Sequence, residues 1–349
     1  MKKEKYGALL IGCGHIGKAH ISDIYYRDNI EIIGVVDHNI DNAALFARKY
    51  GAKSFGTDYK KYLSDSSVDI VIIATYTNSH LPILKDCVAA GKHVLCEKPI
   101  APTLEKSLEF VKIAKEAKTR VLVGHVLRHN KTYQKIAELI RSGAIGKPKL
   151  FRMVQNHQAL NWDRYKELMK DTSPLVDCGV HYVDIVQWIL QEKVVEVSGV
   201  SQRLDNDIAP NQYNFAMLNA TLEGGAVLNY EVGWSKHLRA SNIKDFIGDG
   251  GYIRLLMSAN RGEANYKGDL LQWYEAATDK MNSINVPSIY KDMYGQIGAL
   301  IRMIEDDNYV AQPTLDDVES TMKVIYAADQ AVRSGDKVRL DKTTQEIIS

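Results

Sequence analysis

Three side chains in this sequence combine types and spacing that could do chemistry: Lys98, set between Glu97 and Pro99, and the pair Asp177 and His181, four residues apart. Taking a hydride from the carbon of a secondary alcohol requires the proton on its oxygen to leave as well. The acceptor must lie within hydrogen-bond reach and have a pKa near the working pH. Histidine meets that requirement unperturbed, and an aspartate at i−4 shares its helical face. At about 100° per residue, Asp177, His181, Asp184 and Trp188 fall within about 60° of one another. Val180, Val183, Ile185, Val186, Ile189 and Leu190 occupy the other faces. This predicts a helix buried on most sides with one polar stripe, which must face a partner or a cleft because buried charge without a partner is costly. Taken alone, the pair fits an internal ion pair equally well. Lys98 shifts the balance. The proline after it disfavours helix and sets Lys98 in extended backbone, at the carboxyl end of a strand, where open parallel sheets bind ligands. A lysine there can bond a substrate oxygen and stabilise a developing alkoxide.

The elements that must position these groups begin with Gly12-Cys13-Gly14-His15-Ile16-Gly17. This G-x-G-x-x-G run follows a strand at 6–11 and opens a helix, the context that turns a weak pattern into a nucleotide-binding one. The first glycine allows the tight turn, the second lets backbone approach a diphosphate, and the third lets helix and strand pack. The diphosphate would sit on the amides at the helix start, through Gly14, His15, Ile16 and Gly17. Asp37, beside His38, stands twenty residues after Gly17 at the end of the second strand. Its carboxylate suits the ribose hydroxyls of NAD and would repel the extra phosphate of NADP.

Strand and helix alternate through residue 126: strands at 6–11, 31–36, 68–74, 93–96 and 120–124, with helices at 16–26, 41–50, 80–90 and 103–118. That order predicts a doubly wound parallel sheet. Beyond it come a helix at 131–141, a strand near 149–157, the Asp177 helix, and β-rich runs near 194–203, 213–222, 225–233 and 242–248, two of them joined at Gly224-Gly225, a hairpin signal. The expected organisation is α/β: a Rossmann domain over 1–126, then over 127–349 an α+β domain with a mostly antiparallel open sheet for substrate binding and oligomerisation. Residues 258–288 are polar and irregular and carry no motif, and helices at about 290–306 and 314–334 close the chain.

A chain of 349 residues can build two cores. Its formal net charge of +1 offers no field for nucleic acid or an anionic membrane, and no apolar run approaches a membrane span. Cys13, Cys87, Cys96 and Cys178 are scattered, with no Cys-x-x-Cys pair, so neither a zinc site nor a disulfide framework is expected and a reducing cytoplasm fits. Cys178 has no base geometry that would make it a nucleophile. Trp162 and Trp234-Ser235-Lys236-His237 read as packing, with stacking on a sugar as the alternative.

With these motifs in order, the chain resembles the glucose–fructose oxidoreductase/inositol dehydrogenase/MocA family over nearly its whole length. The resemblance rests on the glycine loop, on Gly91-Lys92-His93-Val94 leading into Glu97-Lys98-Pro99, on Asp177-x-Gly179-x-His181, and on the stretch from Leu315-Asp316-Asp317 to Lys337-Val338. It implies a Rossmann domain followed by an open-sheet domain that mediates homo-oligomerisation. It also implies NAD(P)-linked oxidation or reduction of sugars, polyols and related compounds, with Lys98 and His181 as the proton-handling pair and Asp177 as a sugar contact that orients the site. By the same resemblance Thr75, Asn78 and His80, with Glu97 and Lys98, belong to the cofactor site, and His157 stands where a substrate contact is common. Two departures are visible: Tyr76 replaces the proline usual in the segment before His80, and Arg128-His129-Asn130 replaces Arg-Phe-x-Pro. Arg128 is kept as a substrate or cofactor contact, with a domain-linker salt bridge as the alternative. The resulting expectation is an NAD-dependent dehydrogenase acting on a sugar, inositol or glycoside. The alternatives are a non-enzymatic NAD sensor, which would need only the nucleotide loop, and a reductase of an imine or non-sugar carbonyl.

Overall fold

The computed structural model describes residues 3–257, 268–287 and 291–348. The chain divides into two compact units, residues 1–126 with 291–319, and residues 127–290 with 320–349.

The first unit winds as β1 (Tyr6–Ile11), α1 (His15–Ile24), β2 (Ile30–Val36), α2 (Ile40–Tyr50), β3 (Ser54–Gly56), α3 (Lys60–Leu63), β4 (Ile70–Ile73), α4 (His80–Ala89), β5 (His93–Cys96), α5 (Leu104–Glu116) and β6 (Val121–Val123). The sheet order is β3-β2-β1-β4-β5-β6, and every pairing is parallel. β1 and β4 are buried at each position, as their unbroken apolar runs require of strands covered on both faces. The chain leaves β1 towards β3 and returns on the other side at β4, so a crevice opens at their carboxyl ends. Local signals set the helix ends. Asn39 accepts from the amides of Asp41 and Asn42, Gly51 closes α2 at φ +67°, and Thr103 accepts from the Lys106 amide. Each such polar cap is worth about 1 kcal/mol.

The second unit contains α6 (Lys131–Arg141), β7 (Pro148–Gln158), α7 (Trp162–Asp171), α8 (Pro174–Leu190), β8 (Val194–Gln202), β9 (Phe215–Leu222), β10 (Val227–Ser235), β11 (Ser241–Gly248), β12 (Gly251–Leu256), β13 (Asp269–Glu275) and β14 (Lys280–Val286). After α9 (Met293–Glu305) and α10 (Leu315–Ser334) come β15 (Val338–Leu340) and β16 (Ile347–Ile348). The ten-stranded sheet runs β14-β13-β12-β11-β7-β10-β9-β8-β15-β16. β7 and β10 pair in parallel, and the other pairings are antiparallel. β9 shows how one face is buried. Ala216, Leu218, Ala220 and Leu222 are buried while Met217 and Asn219, at the alternate positions, are exposed. α8 packs on β9 and β10, with the rings of Tyr182 and Tyr230 4.9 Å apart.

Besides helix α7, which the sequence reading did not place, the structure departs from that reading in two places with a plain physical reason. The region read as irregular, 258–288, includes a hairpin: β13 and β14 pair from Asp269–Val286 to Glu275–Lys280, while 258–267 and 288 lie outside the described residues. β14 is the edge strand and is exposed over most of its length, while β13 beside it buries only Asp269 and Leu271. Neither stretch therefore shows a full apolar alternation to read. The second departure is α9, which belongs to the first unit: Ile297, Leu300 and Ile301 join the core of Tyr6, Ile21 and Ile24. An amphipathic period shows that a helix buries one face, but not against which core.

Candidate active site

The glycine loop leaves β1 through Gly12 at φ +100°, where a Cβ would come within 2.4 Å of the Ala74 carbonyl. At Gly17 a Cβ would meet the Gly12 carbonyl at 1.9 Å. Both positions are closed by packing. Gly14 differs: a Cβ there would meet nothing within 4 Å, and Gly14 caps α1 without a side-chain hydrogen bond. The open ground therefore lies in front of a helix N-terminus, which suits a diphosphate bound on backbone amides. His15 and Ile16 form the first turn of that helix.

Asp37 follows β2 and is buried. Its Oδ2 accepts from the Cys13 amide at 2.7 Å, its Oδ1 accepts from the Asn39 amide at 2.9 Å, and the exposed His38 ring lies 3.3 Å from Oδ1. The loop thus fixes the carboxylate's orientation, and each carboxylate oxygen can accept a further bond.

Thr75 and Asn78 lie on the turn between β4 and α4, with Tyr76 exposed beside them. His80 and Glu97, both read from sequence as cofactor contacts, are buried. The His80 ring spans two backbone carbonyls, with Nδ1 2.9 Å from Pro99 O and Nε2 3.1 Å from Thr75 O. It ties the loop after β4 to the loop after β5. Burial pushes its pKa down, further than those carbonyls and Glu97 push it up. Glu97 Oε1 lies 2.7 Å from His20 Nε2, and Oε2 accepts from the Lys98 amide at 3.3 Å. Burial alone would raise the Glu97 carboxyl. His20, Lys98 and Lys291 outweigh that and hold it below the usual range. Its bay exists because Gly124 has no side chain, since a Cβ there would touch the Glu97 carboxyl carbon at 3.1 Å. Lys98 lies two residues past the end of β5, partly exposed, with a cis bond to Pro99. The first unit therefore brings Gly12, Gly14, Gly17, Asp37, Thr75 and Lys98 to the carboxyl edge of one sheet. His20 was missed from the sequence. Its signal was its position one helical turn after Gly17, on the buried side of α1.

In the second unit α8 starts at Pro174, with the Ser173 side chain accepting from the Val176 amide. Tyr213 Oη and Ser173 Oγ both donate to Asp329 Oδ1, which pins this helix start. A Cβ at Gly179 would lie 3.0 Å from Ile325 and 3.2 Å from Tyr230, so α8 packs closely at the middle of the Asp177-x-Gly-x-His motif. Asp177 and His181 are half-buried. The polar stripe then divides. Asp184 is 1% exposed at its side chain and is forked by Arg128, with Nε to Oδ2 at 2.9 Å and Nη2 to Oδ1 at 2.7 Å. Thr321 donates to the same carboxylate at 3.5 Å. The Arg141 guanidinium lies over Trp188, 4.8 Å from the ring. The Asp184–Trp188 half of the stripe faces Arg128 and Arg141, and the Asp177–His181 half is half-buried. His157, near the end of β7, lies 3.2 Å from Tyr165 Oη.

Sequence reasoning also missed Lys244 on β11, which is 1% exposed and lies 4.3 Å from the centre of the Tyr182 ring. Its Nζ donates to Asn242 Oδ1 at 2.7 Å and to the Val154 and Ile243 carbonyls. Burial pulls its pKa down from 10.5 to about 7, against a small upward push from Cys178. Between those values the unfolded chain binds one proton more than the folded one, so stability rises with pH across that window. The second unit of the wild type should gain on the order of 2–3 kcal/mol in urea unfolding from pH 7 to 9.5 at this one site. Lys244→Met should lose that increment and be the more stable protein at pH 7. A Met variant that keeps the wild-type pH slope would place the proton elsewhere.

Among the described residues no three His, Cys, Asp or Glu side chains gather as a metal site, and no helix is long and apolar enough to cross a membrane.

Comparison with known proteins follows this division of the chain. Residues 6–125 match the model of an oxidoreductase family with an NAD-binding Rossmann fold, and residues 133–254 match the GFO/IDH/MocA C-terminal domain. An inositol 2-dehydrogenase of Acidothermus cellulolyticus is 27% identical over 252 residues, 70% of this chain and 71% of the relative. Inositol 2-dehydrogenase 2 of Saccharopolyspora erythraea is 27% identical over 225 residues, 64% of this chain and 65% of the relative, a little under two thirds of its length. The solved aldose-aldose oxidoreductase of Caulobacter crescentus, complexed with glycerol, superposes with a TM-score of 0.82 at 19% identity, covering 96% of this chain and all 100% of that one. An oxidoreductase of Agrobacterium radiobacter in complex with NAD+, L-tartaric acid and magnesium gives 0.80 at 19% identity, over 96% and 98%. At those identities the structural likeness speaks for the fold alone. The glycine loop with its open helix start, and the two matched segments that together span more than half of the chain, give one conclusion: this protein belongs to the GFO/IDH/MocA oxidoreductase family and carries its NAD-binding Rossmann fold.

Proposed function

We propose that the protein is an NAD-dependent dehydrogenase of a secondary alcohol on a sugar, inositol or glycoside. The carrying observation is Lys98, on the same sheet edge as the glycine loop and Asp37, where a cofactor sensor would need no lysine. NAD, when bound, supplies the hydride acceptor. In this reading Gly14 and the first amides of α1 hold the diphosphate, and Asp37 holds the ribose, helped by His38. Thr75 and Asn78 line the bridge towards the nicotinamide, while His80 and Glu97 hold the two loops from beneath. Lys98 bonds the substrate oxygen and stabilises the negative charge that grows there. His181 takes the proton, and Asp177 contacts a neighbouring hydroxyl and orients the imidazole. His157, whose two ring nitrogens face Gln155 and Tyr165, borders the substrate site rather than bonding it, whereas Arg128 serves to hold Asp184. Inositol dehydrogenases among the relatives support the substrate class. Polyols, sugars and glycosides, each scored by NADH absorbance, test the reading. No turnover with any of them would remove it.

Asp37 sets cofactor choice. A phosphate beside a fixed carboxylate costs on the order of 1–4 kcal/mol at contact distance, so fluorescence titration should find NAD bound at least tenfold more tightly than NADP. Equal affinities would mean that Asp37 does not reach the ribose.

The open sheet carries the oligomer in this reading. Val200, Met217, Tyr252 and Met281 are exposed apolar side chains on one face of the second unit's sheet. Covering them against a copy of the chain removes apolar area from water, with closed symmetry as the usual outcome. Light scattering should find a dimer or larger at micromolar concentration, and a monomer would rule this out.

A further inference from the structure

Tyr165 on α7 stands outside every motif read from the sequence, yet it ends a chain of hydrogen bonds that starts in the core of the second unit. Tyr230, 1% exposed, donates its hydroxyl to Gln155 Oε1 at 3.3 Å. With the phenol donating, the Gln155 amide oxygen is the acceptor. The amide nitrogen, a donor only, then faces His157 Nε2 at 3.3 Å. Nε2 must accept, so the ring proton of a neutral imidazole sits on Nδ1. Nδ1 lies 3.2 Å from Tyr165 Oη. The imidazole therefore donates to the phenol oxygen, and the phenol's own hydrogen points away from His157. The ring is held for this. It packs 5.4 Å from the Trp234 ring and 6.0 Å from the imidazole, edge-on to the latter. Gln155 and His157, two apart on β7, share a sheet face. Burial is the main force raising the Tyr165 pKa; Arg164 opposes it and Cys178 and Asp177 add to it, so the phenol keeps its proton at neutral pH.

We propose that Tyr165 is a specificity-determining residue: its hydroxyl, oriented by the Tyr230–Gln155–His157 chain, donates to an oxygen of a polyhydroxylated substrate next to the one that Asp177 contacts. The proposal rests on the reading of the protein as a polyol or sugar dehydrogenase. It requires an acceptor oxygen at that position of the substrate, so a deoxy analogue lacking it should be rejected. A site built to bond a hydroxyl discriminates more strongly than an apolar wall does.

Tyr165→Phe keeps the ring and removes the hydroxyl. With a polyol that the wild type oxidises, KM should rise about tenfold while kcat stays within threefold, as loss of one neutral hydrogen bond predicts. The preference for that polyol over its deoxy analogues should fall by the same factor. Unchanged thermal unfolding would show that the ring still packs. A KM within twofold of wild type would overturn the assignment. Histidine ¹⁵N chemical shifts of the cofactor-free protein give a readout independent of any substrate. His157 should be the Nδ1–H tautomer in the wild type, and Gln155→Leu should release it to a mixture. An Nε2–H wild type would overturn the relay. If the wild type oxidises no polyol, it is the functional reading that fails, and the tautomer then decides the relay.

Discussion

Turnover of the His181→Ala protein is expected to fall by roughly 10²–10⁴-fold on the true substrate, with NAD affinity nearly unchanged. His181 lies in the second unit on α8, while the glycine loop and Asp37 belong to the first. In the proposed mechanism, loss of the imidazole removes the proton acceptor and leaves the residues of the nucleotide loop unchanged. Lys98→Ala should be at least as damaging, because it deletes both a hydrogen bond and a positive charge at the oxygen where the alkoxide develops. Asp177→Ala should raise KM as well as lower turnover. The three losses should be far from additive, since groups that act as one unit fail together. Steady-state kinetics on the three single variants and on the Lys98→Ala/His181→Ala double variant check this. Wild-type turnover in folded His181→Ala would put the base elsewhere. Asp184, next on the sequence stripe, would be a poor replacement, because Arg128 already holds both of its oxygens.

That same pair gives the largest expected effect on stability. Arg128 and Asp184 are 2% and 1% exposed at their side chains. Two charges so placed depend on each other, and removing one leaves the other buried without compensation. Arg128→Met should destabilise the second unit by about 3–5 kcal/mol. The Thr321 hydroxyl at 3.5 Å is too long a contact to replace a forked guanidinium. Removing both charges, as Arg128→Met with Asp184→Leu, should recover most of the loss, since a well-packed apolar pair often equals a buried ion pair. Urea unfolding of the two single variants and the double variant measures the coupling. If Arg128→Met instead raised KM at unchanged stability, the guanidinium would be a ligand contact, as the sequence alone allowed.

The glycine loop, Asp37 and Lys98 were legible because their meaning is local. A turn needing φ +100° at Gly12, a carboxylate at a strand end and a proline after a lysine are conditions on neighbouring residues. The buried runs of β1 and β4 and the alternation of β9 likewise reveal themselves in single stretches of sequence. Strands β13 and β14 did not, because β14 is exposed over most of its length and β13 buries only Asp269 and Leu271, so neither needs a full apolar pattern.

What the sequence determined by itself was therefore the parallel and antiparallel halves, the nucleotide loop, and which residues could carry a proton. What only the tertiary structure decided was which of those polar groups were already taken. Asp177, His181 and Asp184 share one helical stripe, and nothing in their spacing distinguishes them. Arg128, fifty-six residues before Asp184, claims that one, while Asp177 and His181 are half-buried. His20 claims Glu97 from seventy-seven residues away, and the Pro99 and Thr75 carbonyls claim the His80 ring. The physical reason is that periodicity fixes the direction of a side chain relative to its own element, while a charge in a protein interior is settled by whatever distant group meets it there.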